Sequence, residues 1–345
     1  MRLRERYAPG TPAVVLAEGS LGTPDGKTAH GLIQHSDLFE ITAIIDSTQA
    51  GASTDEILAG DELPAIPVVA SVDAALDTDP DVLLLGVAPA GGTLPRSWVG
   101  PIETAMHGGC DVISGLHRFL GADPHWRELA VAAGVEIIDV RRPPSVDDLR
   151  VADGRIADVT ATVVTVMGTD CAVGKRTTTV ELYQAACEAG LDAAWVATGQ
   201  TGIMLGAHAG VVIDRVPADF TPGVLEDLVT EVGASHELVF VEGQAALLHP
   251  AYGPVTLAVL HGSSPDAVVL ADDPSRETRT HFDRYDMPPA TAELAAIEQM
   301  GATTVAAIST WGEPAAAEAA FGLPAANIME TGGTAQLLEH LLAAL

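Results

Sequence analysis

Apolar runs separated by amphipathic segments dominate the first half of the chain. Six of these runs are mostly apolar and predict strands at residues 13–17, 41–46, 68–71, 82–87, 111–114 and 135–140. Apolar positions at helical spacing predict helices at residues 28–35, 72–76, 98–107 and 126–133. Strands without alternation are buried on both faces, as in a parallel sheet that helices cover. The pattern therefore predicts an α/β fold, with a Rossmann-like doubly wound domain over residues 1–150.

The second half repeats this alternation after a polar, proline-bearing stretch at residues 143–155. Strands are predicted at residues 159–167, 193–198, 211–213, 238–242, 267–270 and 304–308, and helices at residues 175–188 and 332–345. A glycine-bounded loop at residues 168–174 joins the first of these strands to the first helix. This order is typical of a P-loop-like α/β domain, which we place at residues 151–345.

Charge narrows the classes of protein to which the chain can belong. The 345 residues include 47 acidic and 17 basic side chains, for a formal net charge of −30, and the acids are dispersed. Such a surface repels nucleic acid and anionic lipid, and no apolar run reaches the ~18 residues that span a bilayer. We expect a cytoplasmic homo-oligomer with no nucleic-acid or membrane partner. Neither the three cysteines nor the eleven histidines show a metal-binding spacing, so we expect no metal.

Lysine is nearly absent, and its two occurrences share one context. Lys27 and Lys175 are the only lysines, against fifteen arginines, and each directly follows a glycine. A Gly-Lys pair that opens a helix brings together free backbone N–H groups, the positive helix end and an ammonium group. We therefore interpret Lys175 as a phosphate ligand and Lys27 as a ligand of a second anionic group.

The strongest motif is TVMGTDCAVGKRTT at residues 165–178, which has the strand–loop–helix order of a phosphate-binding loop. Five residues rather than four separate Gly168 from Gly174, and Arg176 stands where a Ser or Thr would bind Mg²⁺. Because a shift of one residue turns a helical side chain by about 100°, Thr177 is poorly placed to reach a metal. The loop suits phosphate, with Arg176 neutralising charge where a nucleotide enzyme uses magnesium.

A set of short polar motifs is distributed along the whole chain. They are GKTAHG (26–31), ISGLH (113–117), DVR (139–141), the loop 168–177, TGQTGIM (198–204), DF (219–220), EGQ (242–244), HPAY (249–252) and HGSSPD (261–266). Together these motifs resemble a two-domain family that was long of unknown function, whose characterised branch consists of D-glutamate N-acetyltransferases. The resemblance implies transfer of an acetyl group from acetyl-CoA to D-glutamate in D-amino-acid catabolism. The family occurs in marine bacteria and halophilic archaea, which agrees with the acidic composition.

Under this resemblance, the loop binds the phosphates of acetyl-CoA. The residues that we assign to this role are Gly168, Asp170, Gly174, Lys175, Arg176, Thr177 and Thr178.

Acetyl transfer to an amine also needs a base. Glu242 ends an apolar strand, so its carboxylate should emerge beside the loop, where partial burial would raise its pKa and make it a better base. Asp219 is a second candidate for the base.

Other polar residues are candidates for binding the dicarboxylate substrate, D-glutamate. Some follow the first strand of the first domain, where doubly wound sheets bind ligands. The others follow strands of the second domain and are expected to line the same edge as the loop. The residues that we assign to substrate binding are Ser20, Lys27, Thr28, Gln200, Thr201, Gly202 and Gln244.

Two other functions stay open at this point. The loop also resembles that of dethiobiotin synthetase, which reads Gly-Thr-Asp with the same five-residue gap. The alternative function is therefore an ATP-dependent ligase or kinase, although Arg176 at the magnesium position argues against it. The third candidate is a non-catalytic sensor of a nucleotide or of CoA.

The dispersed acidic charge predicts that salt stabilises the protein. Raising KCl from about 0.1 M to about 1 M shortens the Debye length from ~10 Å to ~3 Å and screens the repulsion among the acids. We expect the thermal unfolding midpoint to rise by about 5 °C or more over this range. Differential scanning calorimetry across a KCl series measures the midpoint, and a midpoint that stays constant or falls would contradict stabilisation by salt.

Overall fold

The computed structural model describes residues 1–58, 63–87, 92 and 94–345. The chain forms two compact units. The first comprises Met1–Arg142 and Gln200–Ala207, and the second comprises Pro143–Gly199 and His208–Leu345. In the described ranges, every helix is too short or too polar to cross a membrane.

A parallel six-stranded sheet forms the first unit. Its strands are β1 (Thr11–Leu16), β2 (Phe39–Ile45), β3 (Val68–Val69), β4 (Val82–Leu85), β5 (Asp111–Ser114) and β6 (Ile137–Asp139). The helices between them are α1 (Lys27–His35), α2 (Thr54–Ile57), α3 (Val72–Leu76), α4 (Arg96–His107) and α5 (Pro124–Ala133). The strand order β3-β2-β1-β4-β5-β6 is that of dinucleotide-binding folds. The predicted Rossmann-like fold is therefore confirmed.

A second, seven-stranded parallel sheet with the order β15-β14-β11-β7-β10-β8-β9 forms the second unit. The strands after residue 142 are β7 (Thr162–Gly168), β8 (Ala193–Ala197), β9 (Ala209–Gly210), β10 (Leu238–Glu242), β11 (Ala267–Asp272), the hairpin pair β12 (Thr278–Arg279) and β13 (Phe282–Asp286), β14 (Thr304–Thr310) and β15 (Ala325–Ala326). The helices are α6 (Lys175–Glu188), α7 (Gln200–Leu205), α8 (Thr221–Gly233), α9 (Gly253–Ser263), α10 (Ala290–Gly301), α11 (Pro314–Phe321) and α12 (Gly333–Ala344). Of these, α7 belongs to the first unit.

The centre of the second sheet positions the polar ends of three strands. Strand β7 lies between β10 and β11 and is parallel to both, with Val166 opposite Glu242. Its apolar residues are buried in two clusters, one against α8 and one beside β14. Because parallel strands end at the same edge, Gly168, Glu242 and Asp272 all emerge there.

Close contact between β7 and β10 depends on a glycine. A Cβ atom on Gly243 would lie 2.0 Å from the carbonyl oxygen of Val166. This distance is far below van der Waals contact, and backbone atoms on both sides leave no flexible group to move aside. Gly243 therefore allows the chain after Glu242 to pass against the phosphate-loop strand.

The expected strand at residues 211–213 is wrong. Strand β9 ends at Gly210, and Ile213–Arg215 forms a 3-10 turn. The N–H groups of Val211 and Ile213 still donate to the carbonyl oxygens of Ala197 and Thr198 at 3.0 Å. Both side chains are buried in the core beside α8, so this apolar run reflects burial just beyond the end of a strand. The pattern also misses helices α2 and α7 to α11. Two of these, α9 and α11, have the sequences GPVTLAVLHGS and PAAAEAAF, in which little polar surface marks a helical period.

Substitution of Gly243 tests the close packing of β7 and β10. Gly243→Ala forces a methyl group against the Val166 carbonyl, and we expect it to destabilise the protein by on the order of 2 kcal/mol or more. Gly100→Ala is the matched control, because an added methyl in α4 meets no atom within 4 Å. There we expect no loss, or a gain of about 0.5 kcal/mol. Urea unfolding curves compare the two variants, and equal midpoints would contradict the proposed role of Gly243.

Candidate active site

A loop between β7 and α6 forms the centre of the candidate site. Gly174 caps α6 in the left-handed conformation, with φ of 95°, and the helix begins at Lys175. A Cβ on Gly168 would lie 2.9 Å from both the Lys175 and the Val173 side chains, so only glycine lets the loop fold this tightly. The loop directs the free N–H groups of a 14-residue helix toward the edge where the strands end. This geometry suits an anion.

Lys175 lies almost completely inside the protein, with only 7% of its surface exposed. Its Nζ atom donates a hydrogen bond to the carbonyl oxygen of Asp170, within the same loop. Burial lowers the pKa of Lys175 to about 8, although neighbouring acids that include Glu242 and Glu293 oppose the shift. The ammonium group thus donates to one carbonyl oxygen. A bound phosphate could accept further hydrogen bonds from it and balance its charge.

Arg176 provides a second cation beside the first. Among the described residues, its buried Nε atom has no hydrogen-bond acceptor. Burial lowers the pKa of Arg176, and the charge of Glu242 opposes this shift. Arginine nevertheless stays protonated in proteins, so the site contains a buried N–H donor that an anionic ligand can satisfy.

Asp170 anchors the loop to the β12–β13 hairpin. Its buried carboxylate accepts a hydrogen bond of 2.8 Å from the Thr280 N–H and one of 3.4 Å from Arg279 Nη1. Burial alone would raise the pKa of Asp170, but the hydrogen bonds from Thr280 and Cys171 and the charge of Arg279 lower it overall. In this structure the carboxylate therefore holds the loop in place, and a direct contact with a ligand stays a prediction.

Sequence reasoning did not identify Arg279, whose side chain is 1% exposed. It donates to the carbonyl oxygens of Thr169 and Leu248, and so supports the loop from behind. The only sequence signal is a group of three arginines at residues 276, 279 and 284 in a chain with few cations.

The two threonines after Arg176 differ in their surroundings. Thr178 is completely buried, and its Oγ1 lies 2.9 Å from Ser309 Oγ, a contact that ties α6 to β14. Thr177 is half-buried in the first turn of α6. Of the two hydroxyl groups, that of Thr177 is therefore the more accessible to a ligand.

Glu242 ends β10 in a buried position, with 6% of its surface exposed. Its Oε2 atom accepts hydrogen bonds from the N–H groups of Thr198, at 3.0 Å, and Gly199, at 3.2 Å. Burial raises the pKa of Glu242, while the charges of Arg176 and Lys175 and these hydrogen bonds oppose the rise. A carboxylate with a raised pKa beside two cations is suited to accept a proton near neutral pH.

Gln244 belongs to the same network as Glu242. Its Nε2 atom donates to Thr198 Oγ1 at 2.8 Å, and that hydroxyl group donates to the backbone carbonyl of Glu242 at 2.7 Å.

Asp219, the second candidate base, has a different environment, because it is exposed in a 3-10 turn that leads into α8. Of the two candidate bases, only Glu242 is buried beside the loop cations.

The other predicted substrate ligands lie in the first unit, at the N-terminus of α1 and in α7. Lys27 is exposed at the first residue of α1, whereas Thr28 is buried, with its hydroxyl 2.9 Å from that of Thr201. A Cβ on Gly26 would lie 2.4 Å from the Ser20 carbonyl oxygen, so Ser20 lies directly against the start of this helix.

Helix α7 contributes three of the predicted residues. The Gln200 side chain packs against Gly115, where an added Cβ would lie 3.2 Å from Gln200 Cγ. Gly202 is buried, and its carbonyl oxygen accepts the Ala207 N–H at 3.3 Å. These contacts hold α7 in the first unit together with Thr28.

Within the described part of the chain, one group of side chains has the composition of a metal site: Asp170, Cys171 and His249. Its hydrogen bonds do not suit a cation. His249 Nδ1 accepts the N–H groups of Ala251 and Tyr252, at 3.1 and 3.2 Å, so the neutral ring carries its proton on Nε2 and has no lone pair there. Asp170 also already contacts Arg279. We therefore assign no metal to these residues.

Comparison with known proteins assigns both units to one protein family. Residues 47–143 match a family model described as a DUF1611_N domain of unknown function, Rossmann-like, and residues 150–338 match one described as a DUF1611_C domain of unknown function, P-loop. The crystal structure of a DUF1611 family protein from Anabaena variabilis is 31% identical. It superimposes with a TM-score of 0.87 over 97% of this chain and 100% of that one.

Two curated relatives have names that state an activity. A D-glutamate N-acetyltransferase from Tritonibacter scottomollicae is 36% identical over 210 residues, which cover 60% of each chain. A D-glutamate N-acetyltransferase from a Pseudoalteromonas species is 36% identical over 187 residues, or 54% of each chain. The matches thus span little more than half the length of these relatives. The family models and the crystal structure together show that this chain is a member of the DUF1611 family.

Proposed function

We propose that this protein transfers the acetyl group of acetyl-CoA to the amino group of D-glutamate. A buried carboxylate, Glu242, near the charges of the buried Lys175 and the half-buried Arg176 carries the proposal. Relatives that are 36% identical over part of the chain are named D-glutamate N-acetyltransferases, which supports the same reaction.

The loop suits the phosphates of coenzyme A. This cofactor carries a pyrophosphate and a 3′-phosphate, and the free N–H groups of α6 with Lys175 and Arg176 provide the donors that such groups need. Because Arg176 stands at the position where magnesium-dependent loops carry a hydroxyl group, the phosphates can be neutralised by side chains alone.

Glu242 is our candidate for the base. The substrate ammonium loses a proton to its carboxylate, and the free amine then attacks the thioester carbonyl. The C–N bond forms and the C–S bond breaks. The nitrogen loses its second proton to the leaving sulfur, so coenzyme A leaves as the free thiol. Hydrogen bonds from Thr198 and Gly199 to Oε2 fix the orientation of the carboxylate. Asp219 stays a second candidate for the base.

Lys27 and its neighbours are proposed to bind the carboxylates of D-glutamate. Lys27 is exposed at the start of α1, where the helix end and the ammonium group favour an anion. Thr28 and Thr201 provide adjacent hydroxyl groups, and Ser20, Gln200, Gly202 and Gln244 complete the set that we assign to the substrate.

Because the chain has only two lysines, each serves as the control for the other. We expect Lys175→Ala to raise the apparent KM for acetyl-CoA about tenfold or more, because it removes one charge-assisted contact. Lys27→Ala should raise the KM for D-glutamate by a similar factor, with the acetyl-CoA KM unchanged. Free thiol release from acetyl-CoA in high salt, with D- or L-glutamate added separately, measures both constants.

Three results of this assay would contradict the proposal. The first is that neither D- nor L-glutamate causes thiol release. The second is thiol release that does not depend on the amino acid, and the third is an unchanged KM for acetyl-CoA in Lys175→Ala. A parallel assay with MgATP tests the alternative function. ATP turnover without thiol release would favour an ATP-dependent ligase or kinase.

The shifted pKa values of Glu242 and Lys175 predict a bell-shaped pH profile of kcat/KM, which reports groups of the free enzyme. Below the raised pKa of Glu242 the base is protonated and the rate falls. Above about pH 8 the free enzyme loses the proton of Lys175, so binding of acetyl-CoA weakens.

Two variants separate the limbs of this profile. Glu242→Gln should lower kcat about a hundredfold or more and remove the acid limb. Lys175→Arg keeps its charge at high pH, so its alkaline limb should move upward. Stopped assays from about pH 4 to pH 11 include the ordinary pKa values of both groups, ~4.3 for Glu and ~10.4 for Lys. An acid limb that persists in Glu242→Gln would transfer the role of base to another residue, with Asp219→Asn as the next variant.

A further inference from the structure

Trp311 differs from the other tryptophans of the chain. Trp98, Trp126 and Trp195 are buried, with 5% or less of their surface exposed, whereas Trp311 is 41% exposed. It directly follows β14, at the edge of the second sheet where Gly168 and Glu242 emerge. A large aromatic ring therefore stays open to solvent beside the phosphate loop.

The indole ring lies against Gly174, the residue that caps the N-terminus of α6. A Cβ on Gly174 would lie 2.8 Å from Trp311 Nε1 and 3.1 Å from Cε2 and Cζ2. Gly174 is thus needed for two reasons: its φ of 95°, and the approach of this ring. Any phosphate at the first N–H groups of α6 comes close to the indole.

The backbone that carries Trp311 is fixed on both sides. The Trp311 N–H donates to the Asp272 carbonyl at 3.0 Å, and the Gly312 N–H donates to Thr310 Oγ1 at 3.0 Å. A Cβ on Gly312 would lie 2.5 Å from Pro274 Cγ, so this turn also packs closely against the chain after β11. An exposed ring on a fixed turn loses little conformational entropy when a ligand stacks on it.

A second exposed apolar side chain belongs to the neighbouring loop. Met329 is 64% exposed just after β15, which pairs with β14. Asn327 connects the two loops, because its Nδ2 donates to the Gly312 carbonyl at 3.3 Å and its Oδ1 accepts the Met329 N–H at 3.0 Å. The loops after β14 and β15 thus form one connected surface with an aromatic ring and a polarizable thioether.

We propose that Trp311 is the stacking platform for the adenine base of the acetyl donor. This inference rests on the proposed function, and it assigns the part of the ligand that the phosphate loop does not bind. A ligand with its phosphates on α6 must place its nucleoside nearby, and Trp311 is an aromatic surface in contact with that helix end. Stacking on a neutral ring also avoids the repulsion that a net charge of −30 imposes on anionic groups.

Trp311→Leu and Trp311→Phe test the platform, with binding measured by calorimetry in high salt. The probes are acetyl-CoA, adenosine 3′,5′-bisphosphate, which has the base without the thioester, and inorganic pyrophosphate, which has no base. We expect Trp311→Leu to weaken both adenine-containing probes about tenfold and Trp311→Phe to weaken them less. Pyrophosphate should bind all forms equally.

Intrinsic fluorescence gives a second readout, because Trp311 is the exposed indole. Adenosine 3′,5′-bisphosphate should quench the wild-type signal and leave that of Trp311→Phe unchanged. Tyr285→Leu removes an aromatic side chain of similar exposure, 46%, on β13 and serves as the control. It should bind every probe as the wild type does.

The outcomes distinguish this inference from the proposed function. Adenine-containing probes that bind Trp311→Leu as tightly as wild type would overturn the platform, even if thiol release from acetyl-CoA proceeds. Equal weakening of pyrophosphate and of the adenine-containing probes would also overturn it, because the loop rather than the base contact would then be damaged. Tight, Trp311-dependent binding of adenosine 3′,5′-bisphosphate without turnover of acetyl-CoA would support the platform and contradict the proposed acetyl transfer.

Discussion

Partial or complete withdrawal of two positive charges from water at the start of α6 is the constraint on which the candidate site depends. Lys175 is buried, and Arg176 is half-buried with a buried Nε atom. Removing a cation from water is costly unless an anion or a hydrogen-bond acceptor replaces the solvent. Lys175 Nζ donates to the Asp170 backbone carbonyl, whereas the Asp170 carboxylate accepts from Thr280 and Arg279 and acts on Lys175 through its charge. The surrounding acids compensate part of the cost, and an anionic ligand can supply the rest.

Burial of Glu242 imposes the same kind of cost on a negative charge. Burial favours its protonated form, as it favours the neutral form of Lys175, so the two pKa values move toward each other. Two backbone N–H groups hold the carboxylate where the charges of both loop cations act on it. The protonation states of Glu242 and Lys175 are therefore coupled at this sheet edge, because each changes the charge that the other group experiences.

Much of the second unit could be predicted because its motifs are local. The strand 238–242 and the helix 175–188 have the predicted bounds, since an apolar run and a glycine-bounded helix start depend on neighbouring residues only. The prediction of a strand at residues 211–213 was wrong because buried positions favour apolar residues whether or not they form a strand. Arg279 was missed for a related reason: its partners, Thr169 and Leu248, are 110 and 31 residues away along the chain.

The sequence by itself determined the α/β class, the phosphate loop and the rarity of lysine, because each is written in residue types at short spacing. Only the tertiary structure decided that the Asp170 carboxylate anchors the loop, that Glu242 is buried with Thr198 and Gln244, and that Trp311 lies against Gly174. It also decided that Gln200 and Thr201, which directly follow Gly199 in the chain, pack in a different unit. The physical reason is that burial and long-range hydrogen bonds depend on which strands become neighbours, and that order is not encoded in any single segment.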